Sequence, residues 1–85
     1  MKPVVVYRTA WCPFCQRAEA LLAARGVSSP RIIDLDEEPE RRREMVQRSG
    51  RTTVPQIFIG DVHVGGCDDL HALDRRGELA PLLQS

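Results

Sequence analysis

The sequence lacks an excess of charge of either sign and a long apolar run. Twelve basic and twelve acidic residues give the 85-residue chain a formal net charge of zero, so it has no overall positive field of the kind that nucleic-acid-binding proteins use. The longest apolar run near the amino terminus covers residues 4–7, which is too short for a signal peptide or a membrane span. We therefore expect a cytoplasmic protein that binds neither nucleic acid nor a membrane.

Cysteine is also scarce, and three cysteines cannot form the disulfide framework of a small secreted protein. Two of them, Cys12 and Cys15, have the C-x-x-C spacing that in a reducing compartment is typical of a redox-active or a metal-binding pair. The chain has no internal repeat, low-complexity tract or Gly/Ser linker, and its length suits one small domain. We therefore predict a single domain over residues 1–85 that carries its chemistry at the cysteine pair.

The first third of the chain has the pattern of a strand, a helix and a second strand. Residues 4–8 are rich in β-branched side chains and indicate a strand that is buried on both faces. Helical spacing of apolar residues from Pro13 to an expected left-handed cap at Gly26 indicates a helix. Residues 30–35 indicate the second strand. Because a βαβ unit joins parallel strands by a right-handed crossover, the pattern predicts an α/β fold.

The remainder of the chain predicts two more helices and a hairpin. Asp36 is expected to cap a helix that ends near Arg48. Two β-rich runs around a Gly-Asp pair predict an antiparallel hairpin over residues 56–64. A third helix is expected after Gly66, followed by a short helical turn that breaks near Pro81. These elements together predict a mixed sheet flanked by helices.

Cys12 is the predicted nucleophile. If Cys12 is the N-cap residue of the first helix, Pro13 occupies the first helical position, where a missing N–H has no cost. The amides of Phe14 and Cys15 then point back at the Cys12 sulfur. Unpaired amides and the positive end of the helix dipole favour thiolate over thiol, so we expect a lowered pKa for Cys12.

Cys15 is predicted to resolve a mixed disulfide formed at Cys12. It lies one helical turn along on the same side, within the Cα separation that a disulfide allows, and on the apolar stripe, so it should be the more buried sulfur. Two alternatives are a pair of unreactive core cysteines and a zinc site that adds Cys67 and His71. The zinc arrangement is weak because Cys67 and His71 are spaced i,i+4 around a helix start. No role is assigned to His63 or to His71 alone.

Three motifs in this order and spacing make the chain resemble a glutaredoxin, specifically a bacterial dithiol glutaredoxin of the glutaredoxin-3 type, over essentially its whole length. They are Cys12-Pro13-Phe14-Cys15, Thr53-Val54-Pro55-Gln56-Ile57-Phe58 and Gly65-Gly66-Cys67-Asp68-Asp69-Leu70. The resemblance implies a thioredoxin fold with four strands in the order 2-1-3-4, glutathione as co-substrate and no metal. It also implies a cis bond before Pro55, whereas the rarity of cis X–Pro bonds would favour trans.

The resemblance further implies a glutathione groove. Its residues would be Phe14, Arg51, Thr53, Val54, Pro55, Gly66, Cys67 and Asp68, with Pro13 and Pro55 in structural or activating roles. The Val54 backbone would offer an edge to which an extended tripeptide adds by antiparallel hydrogen bonds. The amides of Cys67 and Asp68 suit the γ-glutamyl carboxylate, and the Asp68 side chain suits its ammonium group. Arg51 could bind the glycyl carboxylate or could be a free surface charge.

The sequence departs from the family pattern at two positions. Many glutaredoxins have lysine three residues before the nucleophile, where this chain has Thr9, and Arg8 could replace that charge only if it faces the groove. Phe14 stands where tyrosine is commoner, which keeps the ring but removes the hydroxyl. We expect a modest change in glutathione affinity rather than lost activity.

The function implied by the resemblance is glutathione-dependent reduction of protein–glutathione mixed disulfides through Cys12 and of protein disulfides through Cys12 and Cys15. The partners would be glutathionylated or disulfide-bonded proteins and, indirectly, glutathione reductase with NADPH, and we expect a monomer. Trp11 before Cys12 is also found in thioredoxins, so a protein disulfide reductase served by thioredoxin reductase is the nearest alternative. A second alternative is a glutathione-ligated iron–sulfur carrier, against which Pro13 and Cys15 argue.

Cys67 would be a half-buried cap residue or an oxidisable thiol.

Overall fold

A computed structural model describes residues 1–84. Four strands form one sheet in the order β2-β1-β3-β4, in which β1 pairs parallel with β2 and antiparallel with β3, and β3 pairs antiparallel with β4. The predicted mixed sheet and its strand order are therefore confirmed. In chain order the elements are β1 (Val4–Arg8), α1 (Pro13–Ala24), β2 (Arg31–Asp34), α2 (Arg41–Ser49), β3 (Gln56–Ile59), β4 (Val62–Gly65), α3 (Cys67–Arg75) and α4 (Leu79–Gln84).

The second helix begins later than the sequence pattern predicted. Asp36 does not cap α2, whose N-cap is Glu40; its carboxylate instead accepts a hydrogen bond from the Ala10 amide at 2.7 Å. The reason is Pro39, which disfavours the helical conformation of the preceding residue and supplies no N–H. The segment between β2 and α2 is therefore a turn that ties the loop before Cys12 to the end of β2.

The chain's last helix runs through Pro81 without a break, so the expected interruption there was wrong. Pro81 is the third residue of α4, and the amides of the first helical turn have no intrahelical acceptor. The missing N–H therefore removes no helix hydrogen bond. Within residues 1–84, no helix is both long enough and apolar enough to cross a membrane.

The sheet separates the apolar core into two clusters because alternate residues of a strand point to opposite faces. Val6 of β1 and Ile57 of β3 pack on one face against α1, α3 and α4, whereas Tyr7 and Phe58 pack on the other face with Met45 of α2. All five side chains are buried. The prediction that the first strand is buried on both faces is therefore confirmed, and the cysteine pair sits at the end of a strand held from both sides.

Leu70 tests the cluster that supports the groove-forming start of α3. Its side chain is fully buried among α1, α3 and α4 residues, so Leu70→Ala should lower the free energy of unfolding by about 2–5 kcal/mol. Each kcal/mol lost should lower Tm by about 4–8 °C. Leu73→Ala on the same helix is the matched control, because Leu73 is only partly buried. Urea and thermal unfolding should give the smaller loss for Leu73; equal losses would contradict this assignment of the core.

Candidate active site

Cys12 lies at the junction of β1 and α1, as predicted. It is the N-cap residue of α1, in extended conformation with φ −146° and ψ 98°, and Pro13 follows at the first helical position. The Cys15 amide donates a hydrogen bond to Cys12 Sγ at 3.1 Å. The Cys12 sulfur therefore stands at the positive end of α1, where a negative charge on sulfur is stabilised.

Cys12 and Cys15 are joined as a disulfide, with their Cα atoms 5.2 Å apart. Cys12 has 7 % of its surface exposed and Cys15 has none. The expectation that Cys15 is the more buried sulfur is confirmed. Since a thiolate must reach a substrate to attack it, Cys12 is the member of the pair that is placed to meet a disulfide from solvent.

A groove of about 210 Å³ adjoins the cysteine pair, and Phe14, between the two cysteines, forms one of its walls. The eight residues that the family resemblance suggested for glutathione all line this groove, together with Asp69, to which sequence analysis gave no role. They come from three segments far apart in the chain: Phe14; Arg51, Thr53, Val54 and Pro55; and Gly66, Cys67, Asp68 and Asp69.

The middle segment of the groove is the loop before β3, which passes from exposed at Thr53 to buried at Pro55. The Val54–Pro55 peptide bond is cis, so the trans expectation from frequency alone was wrong and the expectation from the resemblance was correct. Within residues 1–84, neither the amide nor the carbonyl of Val54 takes part in a hydrogen bond. Both groups are therefore available to a ligand in the groove.

Asp69 connects the middle segment of the groove to the segment at the start of α3. Its Oδ2 accepts hydrogen bonds from Arg51 Nη1 at 2.8 Å and from the Gly66 amide at 2.9 Å. The Gly66 amide, and then the Arg51 guanidinium, hold the pKa of the Asp69 carboxyl below its ordinary value. Arg51 is therefore a groove residue that already has a carboxylate partner, not a free surface charge.

Glycine is required at position 65 for two reasons. Its φ of +116° is a conformation that side chains with a Cβ rarely adopt. A Cβ there would also overlap the Asp69 carboxylate.

A sequence signal could have identified Asp69 as a groove residue. Asp69 is the third residue of α3, where an acidic side chain often bonds the N-cap amide.

Cys67 is the first residue of α3 rather than its cap, because the N-cap is Gly66. The Cys67 side chain is buried, with its Sγ 3.5 Å from His71 Nδ1. Burial raises the pKa of the Cys67 thiol. Cys67 therefore stays a protonated thiol at neutral pH, and it is about as buried as Cys12.

Arg8 does not replace the missing lysine in the groove. Its guanidinium forms an ion pair with Glu19 of α1 at 3.3 Å and donates to the Thr9 carbonyl. Trp11 is 86 % exposed beside Cys12.

In the part of the chain that the structure describes, no cluster of three or more His, Cys, Asp or Glu residues is arranged to hold a metal ion. This includes the set proposed in the zinc alternative, namely Cys12, Cys15, Cys67 and His71.

Comparisons with a family model and with known proteins all indicate the same family. A family model described as Glutaredoxin matches residues 4–64. The chain is 56% identical over the full length of both proteins to "Glutaredoxin" of Pseudomonas aeruginosa. It is 55% identical over 84 residues to "Glutaredoxin 3" of Escherichia coli K12, covering 99% of this chain and 100% of that protein.

Solved structures agree with the sequence comparisons. The crystal structure of a buckwheat glutaredoxin–glutathione complex superposes with a TM-score of 0.88 at 35% identity, covering 98% of this chain and 77% of that one. The strand order, the cysteine pair at a helix start and these similarities lead to one conclusion: this chain belongs to the glutaredoxin family of glutathione-dependent thiol–disulfide oxidoreductases, and its fold is the thioredoxin fold.

Proposed function

We propose that this protein uses glutathione, bound in the groove beside Phe14, to reduce protein–glutathione mixed disulfides and protein disulfides. The observation that carries the proposal is the shared position of Phe14, which lies between Cys12 and Cys15 and also lines the groove. A glutathione sulfur directed at Cys12 would therefore have the rest of the tripeptide in the groove.

Reduction of a mixed disulfide needs only Cys12. Its thiolate attacks the glutathione sulfur, the disulfide bond of the substrate breaks, and the protein thiolate leaves with the electron pair. Cys12 is then disulfide-bonded to glutathione. The thiolate of a second glutathione attacks that glutathione sulfur, so Cys12 leaves as a thiolate and glutathione disulfide forms.

Reduction of a protein disulfide needs both cysteines. Cys12 attacks one sulfur of the substrate and forms an intermolecular disulfide. The Cys15 sulfur then attacks Cys12, releases the second substrate thiol and leaves the Cys12–Cys15 disulfide that the structure shows. Two glutathione molecules restore the dithiol. In both routes glutathione reductase and NADPH would return glutathione disulfide to the thiol, and we propose the cytoplasm as the reducing compartment.

We assign recognition of glutathione to polar groups that line the groove. The free amide and carbonyl of Val54 suit the main chain of the tripeptide. The first amides of α3, at Cys67 and Asp68, have no intrahelical acceptor and suit the γ-glutamyl carboxylate. The exposed Asp68 carboxylate suits the ammonium group, and Arg51, held by Asp69, suits the glycyl carboxylate.

The two cysteines should separate the two reactions. Cys12→Ser should reduce both activities to the rate without enzyme, because the nucleophile is lost. Cys15→Ser should keep the reduction of a small glutathione mixed disulfide within about twofold and lower protein disulfide reduction at least about tenfold, because only the second route needs a resolving sulfur. Turnover by the Cys12 variant, or equal loss of both reactions in the Cys15 variant, would contradict these roles.

Asp68→Asn tests the ammonium contact without changing side-chain volume. Because the ion pair would form at an exposed carboxylate, its loss should raise the KM for glutathione by roughly two- to sixfold. Asp61→Asn, in the exposed β3–β4 turn and outside the groove, is the matched control and should leave the KM unchanged. Steady-state kinetics at fixed mixed disulfide measures both, and an unchanged KM in Asp68→Asn would remove Asp68 from the site.

A coupled NADPH assay distinguishes this function from that of a thioredoxin. With glutathione and glutathione reductase, reduction of a glutathione mixed disulfide should be rapid, because the groove supplies a glutathione site. With thioredoxin reductase alone, the rate should stay at background. The opposite result would mean that the exposed Trp11 beside Cys12, rather than the groove, identifies the reductant.

A further inference from the structure

Gln56, the first residue of β3, has a fully buried polar side chain. A buried amide destabilises the fold unless its polar atoms are hydrogen-bonded. Gln56 Nε2 donates to the Thr53 carbonyl oxygen at 3.0 Å and lies 3.3 Å from Thr53 Oγ1. The buried side chain is therefore bonded to a residue of the groove.

The hydrogen bond to Thr53 fixes how the Gln56 amide is oriented. A backbone carbonyl can only accept, so the Gln56 nitrogen must face Thr53 and Oε1 must face the other way. Oε1 lies 2.8 Å from His63 Nε2 on the neighbouring strand β4. His63 Nε2 must therefore carry the hydrogen and donate it, which defines the tautomer of the ring.

The surroundings hold the His63 ring in place. It packs on the Phe58 ring with a centroid separation of 4.9 Å, and the Arg48 guanidinium lies 4.1 Å from the Phe58 centroid. The charged groups that act on His63 are Arg48 from α2, Arg51 from the loop before β3 and Asp69 from α3. Burial, and then Arg51, lower the pKa of His63 below its ordinary 6.5, so the ring is neutral at pH 7.

The hydrogen bond from Gln56 to the Thr53 carbonyl also determines the direction of the Val54 amide. The Thr53 carbonyl and the Val54 N–H belong to one peptide unit, which is trans, so the two groups point in opposite directions within one plane. Because Gln56 binds the carbonyl from the buried side, the Val54 N–H points away from Gln56. That N–H has no acceptor within residues 1–84, and Val54 lines the groove.

We propose that Gln56 and His63 are positioning residues for glutathione, which hold the Thr53–Val54 peptide unit so that the Val54 amide faces the groove. This inference rests on the proposed function, because it assigns the Val54 backbone to glutathione. Neither side chain touches the reacting sulfur atoms. The role of His63 is to donate to Gln56 Oε1, and the role of Gln56 is to bind the Thr53 carbonyl.

The test compares Gln56→Met and His63→Phe with the unaltered protein and with Gln47→Met, a control at an exposed position of α2. Gln56→Met removes both the bond to the Thr53 carbonyl and the bond from His63, so kcat/KM for glutathione should fall about fivefold. His63→Phe removes only the bond to Gln56 and keeps a ring against Phe58, so the fall should be about two- to fivefold. Alkylation of reduced Cys12 by iodoacetamide does not use the groove, so its rate should stay within about twofold in every variant.

Unchanged kcat/KM for glutathione in both variants would overturn the proposal, as would a parallel loss of Cys12 alkylation, which indicates general structural damage. If thermal unfolding shows that Gln56→Met does not fold, kcat/KM of His63→Phe and the His63 tautomer in the native protein still test the proposal. Long-range ¹H–¹⁵N spectra of the native protein should show His63 as the neutral tautomer with hydrogen on Nε2. A hydrogen on Nδ1 alone would exclude donation to Gln56 and overturn the proposal.

The outcome is separable from that of the proposed function. If the native protein shows no glutathione-dependent turnover, the proposed function fails irrespective of Gln56. If turnover is present and Asp68→Asn raises the KM for glutathione while Gln56→Met and His63→Phe do not, glutathione binding stands and the positioning role fails.

Discussion

The chemistry of this protein depends on the point at which β1 ends and α1 begins. Cys12 is in extended conformation, Pro13 starts the helix, and the Cys15 amide reaches back to Cys12 Sγ. This one turn aligns the helix dipole with the more accessible of the two sulfurs and places the second sulfur within disulfide distance. It is held in place because β1 is paired on both edges, with β2 and with β3, and because the Ala10 amide is bonded to Asp36.

Much of the fold follows from patterns that are local in the sequence. The continuous apolar strand at residues 4–8, the Gly-Asp hairpin and the glycine after the first helix each specify their element through nearby residues alone. The start of α2 was mispredicted because Asp36 is a good cap by composition. Pro39, three residues later, disfavours the helical conformation of the residue before it, so the helix cannot begin at Asp36.

The site was only partly predictable, because its geometry combines segments that are distant in the chain. The cysteine pair is specified by Cys12, Pro13 and Cys15, which are neighbours, and its N-cap geometry followed from the sequence. The bond between Arg51 and Asp69, and that between Gln56 and His63, depend on how β3, β4 and α3 pack. No local pattern indicates that Arg8 turns to Glu19 instead of the groove.

The Arg51–Asp69 pair also affects how an anionic ligand approaches. Of the charged side chains that line the groove, one is basic and two are acidic, namely Arg51, Asp68 and Asp69. Glutathione itself has a net negative charge at neutral pH, since its two carboxylates outnumber its one ammonium group. Long-range attraction from these three side chains therefore does not draw glutathione to the groove. The summed charge of these side chains is negative like that of glutathione, so encounter relies on diffusion and short-range hydrogen bonding, and added salt, which screens like-charge repulsion, should not slow it.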